Sequence, residues 1–165
     1  MFFSMIFYTD KNGRGIWTIS PIFRFVMLGI FLLSSTTLLF PAQDEAEKGV
    51  ISLIIPAFFA LTSVSGILYR DCCIFDAQTR ILSYTTGLIF LSKRRIIPFH
   101  DIGSVRFITV LQGKKPIEFQ CALYSKEEHL LADIEHVKKN AQNALEQRAK
   151  KAAALIGCPL EYTKL

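Results

Sequence analysis

Three histidines and four cysteines are the side chains in this sequence best suited to metal binding or nucleophilic chemistry. His129 follows Glu127 and Glu128, and His136 stands four residues before Asn140. Neither group has the ligand spacing of a closed metal site, and a solvated surface accounts for both, as it does for His100. Cys72, Cys73, Cys121 and Cys158 contain no C-x-x-C pair. Adjacent Cys72 and Cys73 point to opposite faces of a strand, which keeps them from bridging. A nucleophilic thiolate needs a neighbouring base and an electropositive setting, so Cys158 beside Pro159 reads as a buried helix-end residue. Asp76 and Asp101 read as turn and strand-entry residues rather than an acid–base pair. The phosphate-binding loop, the dinucleotide fingerprint, H-E-x-x-H and the nucleophile elbow are all missing from the sequence. The reading is therefore non-enzymatic, with no cofactor and no metal.

Positive charge is the remaining candidate for chemistry. Lys93, Arg94 and Arg95 are consecutive, with Arg70 and Arg80 ahead of them and Arg24 further back. Near a membrane surface each such residue gains about 1 kcal/mol from anionic lipid. Arg24, Arg70, Lys93, Arg94 and Arg95 are thus candidate lipid-headgroup contacts, either loosely or as a headgroup pocket. The net charge of +5 is spread thinly and lacks interleaved aromatics, so no nucleic-acid partner is expected. Lys138, Lys139, Arg148, Lys150 and Lys151 read as a solvated helix face.

The elements that position this charge are apolar. Residues 21–40 contain one charge, Arg24, and residues 50–69 contain none. About 20 apolar residues in a helix span a hydrocarbon core of about 30 Å, and backbone inside lipid must satisfy its own hydrogen bonds. The spacing predicts a transmembrane hairpin over 21–69, with spans 21–40 and 50–69 and an acidic loop at 41–49 that carries Asp44, Glu45 and Glu47. Lysines and arginines flank the other ends of the spans. The positive-inside rule then puts both termini in the cytoplasm, in a multi-pass protein of the cytoplasmic (inner) membrane. Small residues run along the second span at Ala57, Ala60, Ser63 and Gly66, with Gly29 on the first. Small faces let helices approach closely, either each other or a larger membrane partner.

Residues 1–20 read as a cytoplasmic β-hairpin turning at Asn12-Gly13. Its Trp17 suits either the headgroup layer, where it would be an exposed partner-binding aromatic, or packing against the following domain. Ser20-Pro21 is an N-cap followed by proline at the first helical position. From Arg70 the apolar period changes to two. Strands are expected at 72–75, 80–86, 88–91 with 95–99, 102–111 and 117–124, with the basic triplet as a link. Along the last strand Ile117, Phe119, Cys121 and Leu123 face inward, and Glu118, Gln120, Ala122 and Tyr124 outward. A long amphipathic helix is predicted at about 133–156, capped by Asp133 and stopped by Gly157 and Pro159. The fold class is thus a membrane α+β protein: a two-helix hairpin, then a cytoplasmic domain at 70–165 made of an antiparallel sheet capped by the C-terminal helix, the pleckstrin-homology outline.

Phe75-Asp76-x-x-Thr79, Lys93-Arg94-Arg95-Ile96, Asp101-Ile102-x-x-Val105-Arg106 and Gly157-Cys158-Pro159-Leu160-Glu161 carry a resemblance over about 21–161. The sequence resembles membrane-anchored bacterial pleckstrin-homology-like proteins, and looks most like the two-span photosystem I assembly factors. The hairpin before the first span departs from that pattern, as does the lack of the family's glycine and proline run between strands. The resemblance implies a scaffold or assembly protein that docks a larger integral membrane complex. Partner contacts would fall on Trp17, Gly29, Ala57, Ala60, Ser63, Gly66 and Tyr124. The alternative is an anionic-lipid-binding or regulatory module built on residues 93–95.

Overall fold

The computed structural model describes residues 5–39, 51–113 and 115–165. The acidic loop expected at 41–49 lies outside the described residues. The chain opens with the expected hairpin, β1 (Met5–Thr9) and β2 (Gly15–Ile19). Asp10 builds its turn, accepting the backbone N–H groups of Asn12 and Arg14 at 2.9 and 2.8 Å, while Gly13 takes φ +76°. Ser20 caps the next helix, its Oγ accepting the Ile22 N–H at 3.3 Å. That helix, α1 (Pro21–Leu39), packs along α2 (Ile51–Leu68), and α2 runs into β3 (Tyr69–Asp76). Among the described residues α1 alone is long and apolar enough to cross a membrane; the apolar stretch of α2, Leu53–Leu68, is shorter.

Two antiparallel sheets follow. The first holds β1, β2, β3, β4 (Ile81–Leu88) and β5 (Lys93–Pro98) in that order. The N-terminal hairpin therefore joins the main sheet, with Trp17 opposite Cys73. The second sheet is ordered β8 (Leu130–Lys138), β7 (Lys115–Ser125), β6 (Ile102–Gln112), β9 (Leu160–Lys164). Its strand β9 lies parallel to β6. The helix α3 (Gln142–Ile156) packs on β3, β6, β7 and β8, and inward side chains of both sheets join it in one core. Trp17, Phe75, Leu82, Val105, Leu123 and Leu145 are its largest fully buried side chains of carbon and ring. The overall class, α+β with antiparallel sheets and a C-terminal helix, is as the periodicity predicts.

Several local expectations differ. Residues 130–138 form a strand, so the C-terminal helix begins at Gln142 rather than 133, and Asp133 caps nothing. Ile134 and Val137 fit both a helical and an alternating pattern, and pairing with β7 decides between them. Of the expected strand at 88–91 only Leu88 is extended, as the end of β4; the chain reverses at the residues that follow, just after Gly87 at φ +120°. Lys93, Arg94 and Arg95 consequently lie inside β5 instead of linking two strands. Residues 160–164, for which the sequence predicts no element, form β9. On β7, Ala122 is fully buried although its alternation points outward, because the register with β8 shifts between Cys121 and Ala122.

The predicted stops are as written in the sequence. Asp76 Oδ1 accepts the N–H groups of Gln78 and Thr79. Gly157, at φ +79°, returns its N–H to the Ala153 carbonyl at 2.9 Å and closes α3 in a left-handed cap.

Candidate functional site

The helix pair leaves from the end of β2 and returns into the start of β3, and these two strands are hydrogen-bonded neighbours. Where the helices meet the sheets there is a cavity of about 630 Å³. Its apolar wall comes from Met5, Ile19, Phe23 and Met27 with Leu88 and Ile134. Its polar side carries Asp71 from β3 and Asp133, Glu135 and His136 from β8. Gly66 of α2 borders it too, where a Cβ would sit 3.1 Å from Met27 Cγ and Sδ.

The carboxylates behave differently from one another. Glu135 is 5% exposed and fully engaged: Arg148 donates to it twice, at 3.0 and 2.8 Å, and the Trp17 indole N–H donates at 2.9 Å. Burial pushes the Glu135 carboxyl up from its ordinary value, against these partners, which favour the carboxylate. Asp133 places its Oδ2 2.6 Å from His136 Nε2, and Glu118 lies 3.4 Å from the other ring nitrogen. The Oδ1 atoms of Asp71 and Asp133 are buried with no hydrogen-bond partner among the described residues. Burial, reinforced by Asp133 and Glu135, pushes Asp71 up to about 6. Burial holds the neighbouring Cys73 thiol well above its usual value and raises Cys72 as well, which disfavours the thiolate form of both. No group of three or more His, Cys, Asp or Glu side chains among the described residues is arranged to hold a metal ion.

The predicted contact residues are dispersed. Trp17 is 0% exposed and lies in the core, so it is no surface contact; packing against the following domain, rather than the headgroup layer, is its role. Ser63 is buried and Gly66 half-buried against Phe23 and Met27, so the lower part of the small-residue face packs α2 on α1. Ala57 is exposed, Ala60 and Gly29 are half-buried, and a Cβ at Gly29 would meet nothing within 4 Å. Tyr124 is half-buried beneath the Arg106 guanidinium, 4.2 Å from its ring centre, and Arg106 also pairs with Glu161 at 2.9 Å. Arg24, Arg70, Lys93, Arg94 and Arg95 are all exposed. Alternation along β5 splits the triplet between the two faces of an edge strand, with Arg94 turned to donate to Ser83 Oγ at 2.8 Å. The triplet is therefore not one pocket. Sequence reasoning missed Asp71, Asp133 and Glu135, and no local spacing links Asp71 with the β8 residues.

No protein-family model matches the chain, and no curated protein matches it.

Proposed function

We propose that this is a two-span integral membrane accessory or assembly protein, non-enzymatic, that docks a larger membrane protein complex. One observation carries the reading. The side chains of α1 and α2 are overwhelmingly apolar yet exposed, including Phe25, Leu33, Phe58 and Leu61. Contiguous apolar surface of this size requires lipid or a protein partner. Chain geometry supports two spans rather than one. If α1 crosses the membrane, the chain must cross back before β3, because β3 pairs with β2 on the starting side. The element available for the return is α2, which has no charged residue and 18 residues rising about 27 Å. By the positive-inside rule, Lys11, Arg14, Arg24 and Arg70 support an orientation with the sheets and both termini on the cytoplasmic side of an inner membrane.

The two-sheet core closed by α3 is compatible with the pleckstrin-homology-like resemblance, and with it the role of an assembly factor. Ala57 and the upper, exposed faces of the helices are the surfaces left for a partner. Mild-detergent extraction of the tagged chain from its own cells, followed by mass spectrometry, tests this. Recovery of one large membrane complex, lost when Ala57 is replaced by Phe, is the expected result. Recovery of free monomer alone would sink it.

A second reading, an anionic-lipid-binding regulatory module, is favoured by the exposed basic residues on β5. Charge reversal at Lys93, Arg94 and Arg95 that left lipid association unchanged would remove it.

A further inference from the structure

We infer that the turn at Ile89–Ser92, between β4 and β5, is a wedge that inserts into the surface of an anionic bilayer and fixes the sheets against the membrane. This rests on the reading that α1 and α2 span it.

The turn sits at the level where α2 ends. The Ile89 N–H donates to the carbonyl of Leu68, the last residue of α2, at 3.0 Å. Leu88 pairs with Tyr69, the first residue after that helix. The far end of the same hairpin, the Asp76–Ile81 turn, is eight residues along each strand away, or roughly 26 Å. Of the two ends of the β3–β4 hairpin, only the one holding Ile89–Ser92 meets the helix pair.

The turn is also built, not loose. The Leu91 N–H donates to the Leu88 carbonyl at 2.8 Å. Gly87 has φ +120°, and a Cβ there would stand 3.0 Å from the Leu91 carbonyl oxygen, so the reversal needs glycine. Tight turns ordinarily carry Gly, Pro, Asn, Asp or Ser. This one holds Ile89, Phe90 and Leu91, with Phe90 84% and Leu91 77% exposed. A fixed scaffold that displays a phenylalanine and a leucine at its tip invites an apolar occupant.

Charge selects which occupant. Arg70 is opposite Gly87 and Lys93 opposite Thr86, so both flank the turn, and both are exposed. Arg24 lies in the first turn of α1, beside the same end of the sheet. Residues 77–100 contain no carboxylate. Asp71, opposite Thr86, lines the cavity. An apolar tip within a basic collar matches acyl chains beneath acidic headgroups.

The test uses the full chain reconstituted in phosphatidylglycerol–phosphatidylcholine vesicles containing brominated lipid, which quenches tryptophan in contact with acyl chains. Trp17, buried in the core, supplies the background. Phe90→Trp probes the turn, Leu33→Trp the first helix and Ala77→Trp the distal turn. The expected result is strong added quenching for Phe90→Trp and Leu33→Trp and none for Ala77→Trp. Adding Arg70→Glu and Lys93→Glu to Phe90→Trp should lower the docked-to-undocked ratio by roughly fivefold per basic residue lost. If Leu33→Trp is quenched while Phe90→Trp behaves like Ala77→Trp, the wedge is overturned and the spans stand. If neither Leu33→Trp nor Phe90→Trp is quenched, the spanning reading falls and takes the wedge with it. Quenching of Phe90→Trp that is equal in pure phosphatidylcholine and insensitive to the charge reversals would overturn the anionic surface as its occupant.

Discussion

The indole N–H of Trp17 donates to Glu135 at 2.9 Å across 118 residues of chain. On one side of this bond is the hairpin that precedes the helix pair. On the other is β8, whose Glu135 is clamped by the guanidinium of Arg148 on α3. Three elements from both ends of the chain thus share one buried carboxylate, and the first sheet is locked to the second directly beside the helix bases.

Glu135→Ala should therefore be severely destabilising. It leaves the half-buried Arg148 and the buried Trp17 without their acceptor, and breaking a buried pair from one side costs about 3 kcal/mol or more. Trp17→Phe removes only one donor and should cost nearer 1 kcal/mol in hydrogen bonding, apart from packing. Chemical unfolding of the full chain in detergent micelles measures both. Equal, small effects would mean that the carboxylate does not hold the elements together.

Stability should depend on pH through Asp71. Its folded value, about 6, lies above the ordinary carboxylate value of 3.8, so the folded state binds the proton more tightly than the unfolded state. The stabilising contribution is complete below about pH 4 and lost as the pH rises to about 6. Asp71→Asn should flatten this part of the curve and stabilise the chain at pH 7 by about 1 kcal/mol, a shift of this size being discounted for the partial exposure of the side chain. Glu135 is raised in the same direction and remains in the variant, so the difference between the two curves is the measurement. Parallel curves would show that Asp71 keeps an ordinary affinity for its proton.

Gly103→Ala should destabilise the second sheet. A Cβ there would lie 2.7 Å from the Ser125 carbonyl oxygen and 2.8 Å from the Lys126 nitrogen, both backbone atoms, next to the register shift between Ile102 and Ser104. Backbone cannot move aside as a side chain does, and overpacking of this kind costs about 2 kcal/mol. A melting temperature unchanged from wild type would refute the close approach.

The two parts of the small-residue face should respond differently. Gly66→Leu forces α2 away from Phe23 and Met27 and should lower the melting temperature of the purified chain. Ala57→Phe lies on an exposed face and should leave melting unchanged while reducing partner recovery. Identical behaviour of the two variants would remove the distinction between the packed and the free face.

Local chemistry was enough, in the sequence, for the elements whose causes are local. The Asn12-Gly13 turn, the Ser20 cap, the Asp76 turn and the Gly157 stop each depend on side chains within a few residues of the backbone they satisfy. The apolar character of α1 and α2 is likewise a property of their own residues. Tertiary pairing decided the rest. Ile134 and Val137 suit helix or strand equally, and only the proximity of β7 makes 130–138 a strand. Residues 160–164 have little apolar pattern to mark them, and become β9 because the cap at Gly157 returns the chain beside β6. Trp17 has an amphipathic ring fit for a headgroup layer or a core, and the register of β2 on β3 turns it toward Glu135. Asp71 and Glu135 look like ordinary surface carboxylates until two sheets bury them beside one cavity, because desolvation and proximity are properties of the folded arrangement and leave no trace in spacing along the chain.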